Sequence, residues 1–151
     1  MRPFDTPETA RILGFLAEAG IAVEQDDLPG ETFLPGMTVR RGVLVVDPER
    51  LAFPGDMLHE AGHIAVADPG ADHDAVSPDP GEEMAAIAWS YAAACAIPLD
   101  PRIVFHDHGY RGDGANIAEN FAQGRSFGVP LLQYWGLTRT ALYPQMRHWR
   151  R

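Results

Sequence analysis

Two histidines four positions apart, with a glutamate directly after the first, give this chain its most specific chemical signal: His59-Glu60-Ala61-Gly62-His63. On a helix, positions i and i+4 lie on one face a turn apart, so the two imidazoles can share one metal ion. Glu60 stands between them, where its carboxylate can take a proton from a water on that ion. The chemistry this predicts is zinc-assisted hydrolysis.

A catalytic zinc site takes three protein ligands and keeps a fourth position for water, so the chain must supply one more donor. In Glu-ligated zinc peptidases that donor opens the next helix. Glu83 lies twenty residues after His63, with Glu82 beside it. Neighbours on a helix point about 100° apart, so one of the two reaches the ion, and Glu83 is the expected ligand. Without a metal, both acids would simply favour the positive end of their helix. Asp72, His73 and Asp74 are other possible donors, on a loop.

The stretch Phe105-His-Asp-His-Gly-Tyr110 is the other concentration of polar groups. His106, His108, Tyr110 and Arg111 are candidates for the donor that stabilises an oxyanion during hydrolysis. His106 and Tyr110, four apart, are the pair expected at the reaction centre. The plainer alternative is a loop that caps a helix and satisfies backbone groups. Asp56, three residues before His59, is expected to cap the metal-bearing helix or to support one of its histidines.

These residues need elements to hold them. Thr6-Pro7-Glu8 reads as a helix start, and Ile12, Leu13, Phe15 and Leu16 keep a helical period up to Gly20. Short strands are expected from Ile21, over 32–34, over 37–40 and over 43–46, with tight turns at Pro35-Gly36 and Arg41-Gly42. The continuously apolar 43–46 segment should be the most buried. The histidine helix is expected from 54–56 to about 67, stopped by Asp68-Pro69-Gly70. Its apolar flanks make it a core helix. Gly62 inside it costs about 1 kcal/mol relative to Ala, which close packing of another element would explain. A loop over 68–81 leads to a helix from Glu82-Glu83 to about Ile97. A helical turn at Asp100-Pro101 and helices near 115–123 (capped by Asp113) and 129–136 complete an α+β chain.

Composition sets outer limits. With 151 residues, 46% hydrophobic and 22% charged, residues 1–151 fit a single domain with a packed core. A formal net charge of -9 argues against nucleic acid or an anionic membrane as the main partner. The basic residues Arg147, His148, Arg150 and Arg151 read as a solvated terminus. Cys95 is the sole cysteine, so no internal disulfide forms, in keeping with a reducing compartment. No signal-peptide pattern opens the chain, and the apolar run 85–97 is too short to span a bilayer. The expected location is cytoplasmic. The sequence is silent on oligomeric state.

In the order of its motifs the chain distantly resembles the ImmA/IrrE-type zinc metallopeptidases, of the Glu-ligated (gluzincin) class. The residues concerned are Val43-Leu-Val-Val-Asp47, then Asp56-Met-Leu-His-Glu-Ala-Gly-His63, then Glu83 with Ala92-Ala-Ala-Cys-Ala-Ile-Pro98, within residues 30–98. Residues 81–90 and 104–110 are also similar to stretches of a bacterial family of no assigned activity. The first resemblance implies a small sheet packed on an α-helical zincin-like core. It implies zinc held by His59, His63 and Glu83, and a peptide or protein substrate. Two other readings stand beside the peptidase. One is a regulatory or binding module that keeps the scaffold without turnover. The other is a structural metal site closed by His106 or His108.

Overall fold

The first helix begins where its capping residue places it. In the computed structural model, which describes residues 1–70 and 74–151, Thr6 Oγ1 accepts from the Thr9 amide at the start of α1 (Pro7–Glu18). This helix buries Ile12 and Leu16. Chain reversal at Gly20 leads into β1 (Val23–Gln25), which starts two residues later than the sequence suggests. The hairpin β2 (Met37–Arg40) and β3 (Val43–Val46) then turns through Arg41-Gly42. Both turn residues have positive φ, the type I′ geometry that matches the twist of a two-residue hairpin.

The strand order is β1-β3-β2: β3 is central, parallel to β1 and antiparallel to β2. Leu44, Val45 and Val46 are buried, so β3 is the most enclosed strand, as its apolar run requires. The strand expected over 32–34 does not form; only Leu34 makes an isolated bridge, to Met37. Within that segment the Thr32 hydroxyl donates to the Leu34 carbonyl, and beside it the Asp47 carboxylate accepts from the amides of Leu28 and Glu49. These bonds hold the Asp47 carboxyl below its ordinary range, the Leu28 amide contributing most.

Two helices form the centre of the molecule. α2 (Asp56–Val66) carries the histidines and is buried along all its residues. Burial of Met57, Leu58 and Ile64 contributes roughly 1.5–3 kcal/mol each. α3 (Pro80–Ala96) packs along it and starts two residues earlier than expected, because Asp79 caps it by accepting from the Glu82 amide and Pro80 fills the first position. A Cβ on Gly62 would stand 2.8 Å from the Ala86 carbonyl oxygen, so the two backbones touch there. This is the close packing that the interior glycine implied.

Shorter elements close the fold: α4 (Pro101–Val104), a 3₁₀ turn (Tyr110–Gly112), α5 (Gly114–Ala122) and α6 (Val129–Tyr134). Asp113 precedes α5 but makes no capping bond; its carboxylate accepts from the Asn116 side chain. The basic tail is not merely solvated. Trp149 packs edge-on against Phe15 and Trp89, and its carbonyl accepts from the Trp89 indole. The Arg151 amide and guanidinium donate to the carbonyls of Ala65 and Val66, the last turn of α2. A cation at a helix C-terminus satisfies carbonyls that the helix leaves unpaired. The described residues therefore form a mixed α+β fold of six helices and a three-stranded sheet. Among them, no helix is long and apolar enough to cross a membrane.

Candidate metal centre

α2 presents His59 and His63 one turn apart, with imidazole rings 5.0 Å between centroids. With Glu60 they form a buried group whose ligand atoms all lie within 4.8 Å of one another. These three residues can hold a metal ion. A second carboxylate reaches the same place from α3. One Glu83 oxygen lies 3.3 Å from His59 Nε2 and the other 2.6 Å from His63 Nε2. Two imidazole nitrogens thus converge on a single carboxylate. Of the two acids at the start of α3, it is Glu83 that meets the histidines.

The two carboxylates differ electrically. Burial pushes Glu60 above its ordinary range, against the opposing pull of His59 and His63. Hydrogen bonds with His59 and His63 hold Glu83 well below its range, and its side chain is half exposed. Of the two carboxylates, Glu60 therefore holds a proton more tightly and Glu83 ionises more readily.

The downstream cluster folds back onto α2. Tyr110 places its hydroxyl 3.0 Å from His59 Nδ1, with the two rings edge to face. Burial raises the Tyr110 phenol well above its ordinary range, so it stays a neutral hydroxyl. His106 goes elsewhere. Its Nε2 lies 2.7 Å from Asp56 Oδ1, its Nδ1 accepts from the His108 amide, and its ring stacks on Phe53. Both ring nitrogens are thus in use, which leaves none to donate to an oxyanion. His108 is exposed and stacks on Phe53 from 5.2 Å. Arg111 is exposed on the turn beside Tyr110.

Asp56 is the first residue of α2 but does not cap it; Gly55 stands in the capping position. A side chain on Gly55 would collide with the Ile103 carbonyl, so α4 packs against the start of the histidine helix. The Asp56 side chain turns inward to His106 instead. Burial raises its pKa, and its Oδ2 is buried with no hydrogen-bond partner. Of the loop donors, Asp72 and His73 lie outside the described residues, and Asp74 pairs with Arg41 through its backbone carbonyl. The link from Tyr110 to His59 spans 51 positions. A tyrosine four residues from His106 was the only sequence hint of it.

The centre opens into a cavity of about 440 Å³. Glu60, His63 and Glu83 line it on one side, and Thr38, Val39 and the segment 75–78 on others, with the exposed Phe33. An adjoining cavity of about 320 Å³ shares His63 and Val39 and reaches Arg150. Comparisons with protein-family models, curated proteins and solved structures returned no match to this chain.

Proposed function

We propose that the protein is a zinc-dependent peptidase in which His59, His63 and Glu83 hold the metal and Glu60 is the general base. The observation that carries this reading is the convergence of both Nε2 atoms on the Glu83 carboxylate, with a second, buried carboxylate alongside. Two neutral imidazoles and one oxygen anion form the donor set of Glu-ligated catalytic zinc sites, which leave one position open. Zinc so held would lower the pKa of a coordinated water to about 7 and polarise a substrate carbonyl.

Within that setting Glu60 takes the proton of the attacking water and delivers it to the leaving amine. Glu83 stays ionised and offsets the charge of the cation. Asp56 and His106, locked to each other, brace the start of α2 and do not touch substrate. The cavity beside β2 fits an extended peptide, since β2 lies at the edge of the sheet and lines the space next to Glu60. On this reading the three-stranded sheet packed on α2 is, with α3, a reduced zincin-like core, and the substrate is a peptide or protein.

The test joins metal content to turnover. Protein purified without an affinity tag should contain zinc by elemental analysis and cleave members of a peptide library. Glu60→Gln should keep the zinc and lose cleavage by 10²-fold or more. Full cleavage by that variant would end the mechanism. Zinc without cleavage in the wild type would favour a module that keeps the scaffold but not the turnover.

A further inference from the structure

We infer that the Tyr110 hydroxyl is a reversible partner of His59: it donates to Nδ1 while the site is metal-free and accepts from Nδ1–H once Nε2 ligates a metal. This rests on the metal assignment above and adds a residue to it. His59 meets a different group at each ring nitrogen. Nε2 faces the Glu83 carboxylate at 3.3 Å and Nδ1 faces the Tyr110 oxygen at 3.0 Å. A carboxylate only accepts, so a neutral His59 ring that pairs with Glu83 carries its hydrogen on Nε2. Nδ1 is then a bare acceptor and needs a donor.

Metal ligation inverts this demand. Nε2 must offer its lone pair to the ion, so the ring hydrogen sits on Nδ1 and needs an acceptor. A hydroxyl can play both parts. A carboxylate at that place would satisfy only the loaded state, and a backbone N–H only the metal-free one. In the exchange one proton leaves Nε2 and one is gained at Nδ1, both through solvent. Tyr110 keeps its own hydrogen, which only rotates, and His59 releases no net proton.

The backbone supports a dedicated placement. Tyr110 and Arg111 are consecutive non-glycine residues with φ of 54° and 56°, a left-handed conformation that side chains disfavour. Such strain persists where surrounding structure imposes it, often at functional sites. Here the Tyr110 ring packs against Phe105 and His59. Tyr110 is thus a positioning residue, acting through His59.

Long-range proton–nitrogen NMR on the full chain with ¹⁵N-labelled histidine, at a pH where imidazole is neutral, tests this directly. Metal-free protein should show His59 protonated at Nε2, and one equivalent of zinc should move the hydrogen to Nδ1. Tyr110→Phe, checked for folding by circular dichroism, should bind zinc about 10-fold more weakly, because ligation makes Nδ1–H a stronger donor than bare Nδ1 is an acceptor and the lost bond costs the loaded state more. If zinc binds through Nε2 but Nδ1 is protonated in both states, the reversal is wrong and the metal site stands. Wild-type zinc affinity in folded Tyr110→Phe would remove the positioning role. If no zinc binds the wild type, the metal assignment falls and takes this inference with it.

Discussion

Gly62 and Ala86 touch backbone to backbone, and this contact sets Glu83 beside His63. A Cβ at Gly62 would lie 2.8 Å from the Ala86 carbonyl oxygen, and Glu83 is one turn before Ala86 on α3. Intrinsic helix propensity predicts that Gly62→Ala stabilises α2 by about 1 kcal/mol. The contact predicts the reverse. Backbone cannot yield as a side chain can, so we expect a loss of about 1–3 kcal/mol. Urea unfolding of the variant decides the sign, and a rise in midpoint would show that the helices separate at no cost.

Exchanging single acids at the start of α3 separates ligand from bystander. Glu83→Gln should lose most of its zinc affinity, because the amide retains shape but not charge. Glu82→Gln should bind as the wild type does. Competition with a chromogenic chelator measures both, and equal losses would mean that the two acids share the role.

Asp47 predicts the shape of the acid limb of stability. Its carboxyl is lowered in the folded state, so the stability it contributes is complete above the unfolded pKa of about 3.9. That contribution is lost as pH falls through the lower folded value. Asp47→Asn should therefore be destabilised relative to wild type at pH 6–7, and the gap should narrow as pH falls below about 3.9. Thermal melts from pH 7 into the acid limb provide the check; a gap that stays constant or widens on acidification would contradict the linkage.

The tail predicts a remote effect on the histidine helix. Arg151 donates to the Val66 carbonyl and lies over the Trp135 ring at 4.3 Å. Arg151→Ala removes a helix-end cation and a cation–π contact, together worth about 1 kcal/mol. Calorimetry should show the lower transition, and Arg147→Ala, at an exposed position, should show none.

What could be read from the sequence was local. The spacing of His59 and His63, the apolar run of β3 and the Thr6-Pro7 start all act within a few residues, and the structure keeps each of them. Asp79-Pro80 carried the start of α3 as plainly as Thr6-Pro7 did that of α1, yet the acids after it drew the boundary inward. The arrangement of partners was not legible. Tyr110 on His59, His106 on Asp56 and Trp149 on Trp89 link positions 50 to 60 residues apart. No periodicity encodes such pairs. His106 illustrates the cost, since its residue type suits an oxyanion donor while its neighbours use both nitrogens.

Exposure at the metal centre is uneven, and this bears on rates more than on affinity. His59, Glu60 and His63 are all nearly sealed from solvent, whereas the Glu83 side chain is 45% exposed. On the proposed ligand set, an ion arriving from water would meet Glu83 first and a departing ion would leave it last. Loading and stripping would then be paced by the swing of one half-exposed carboxylate. The time a chelator needs to empty the protein becomes a measure of how freely Glu83 moves.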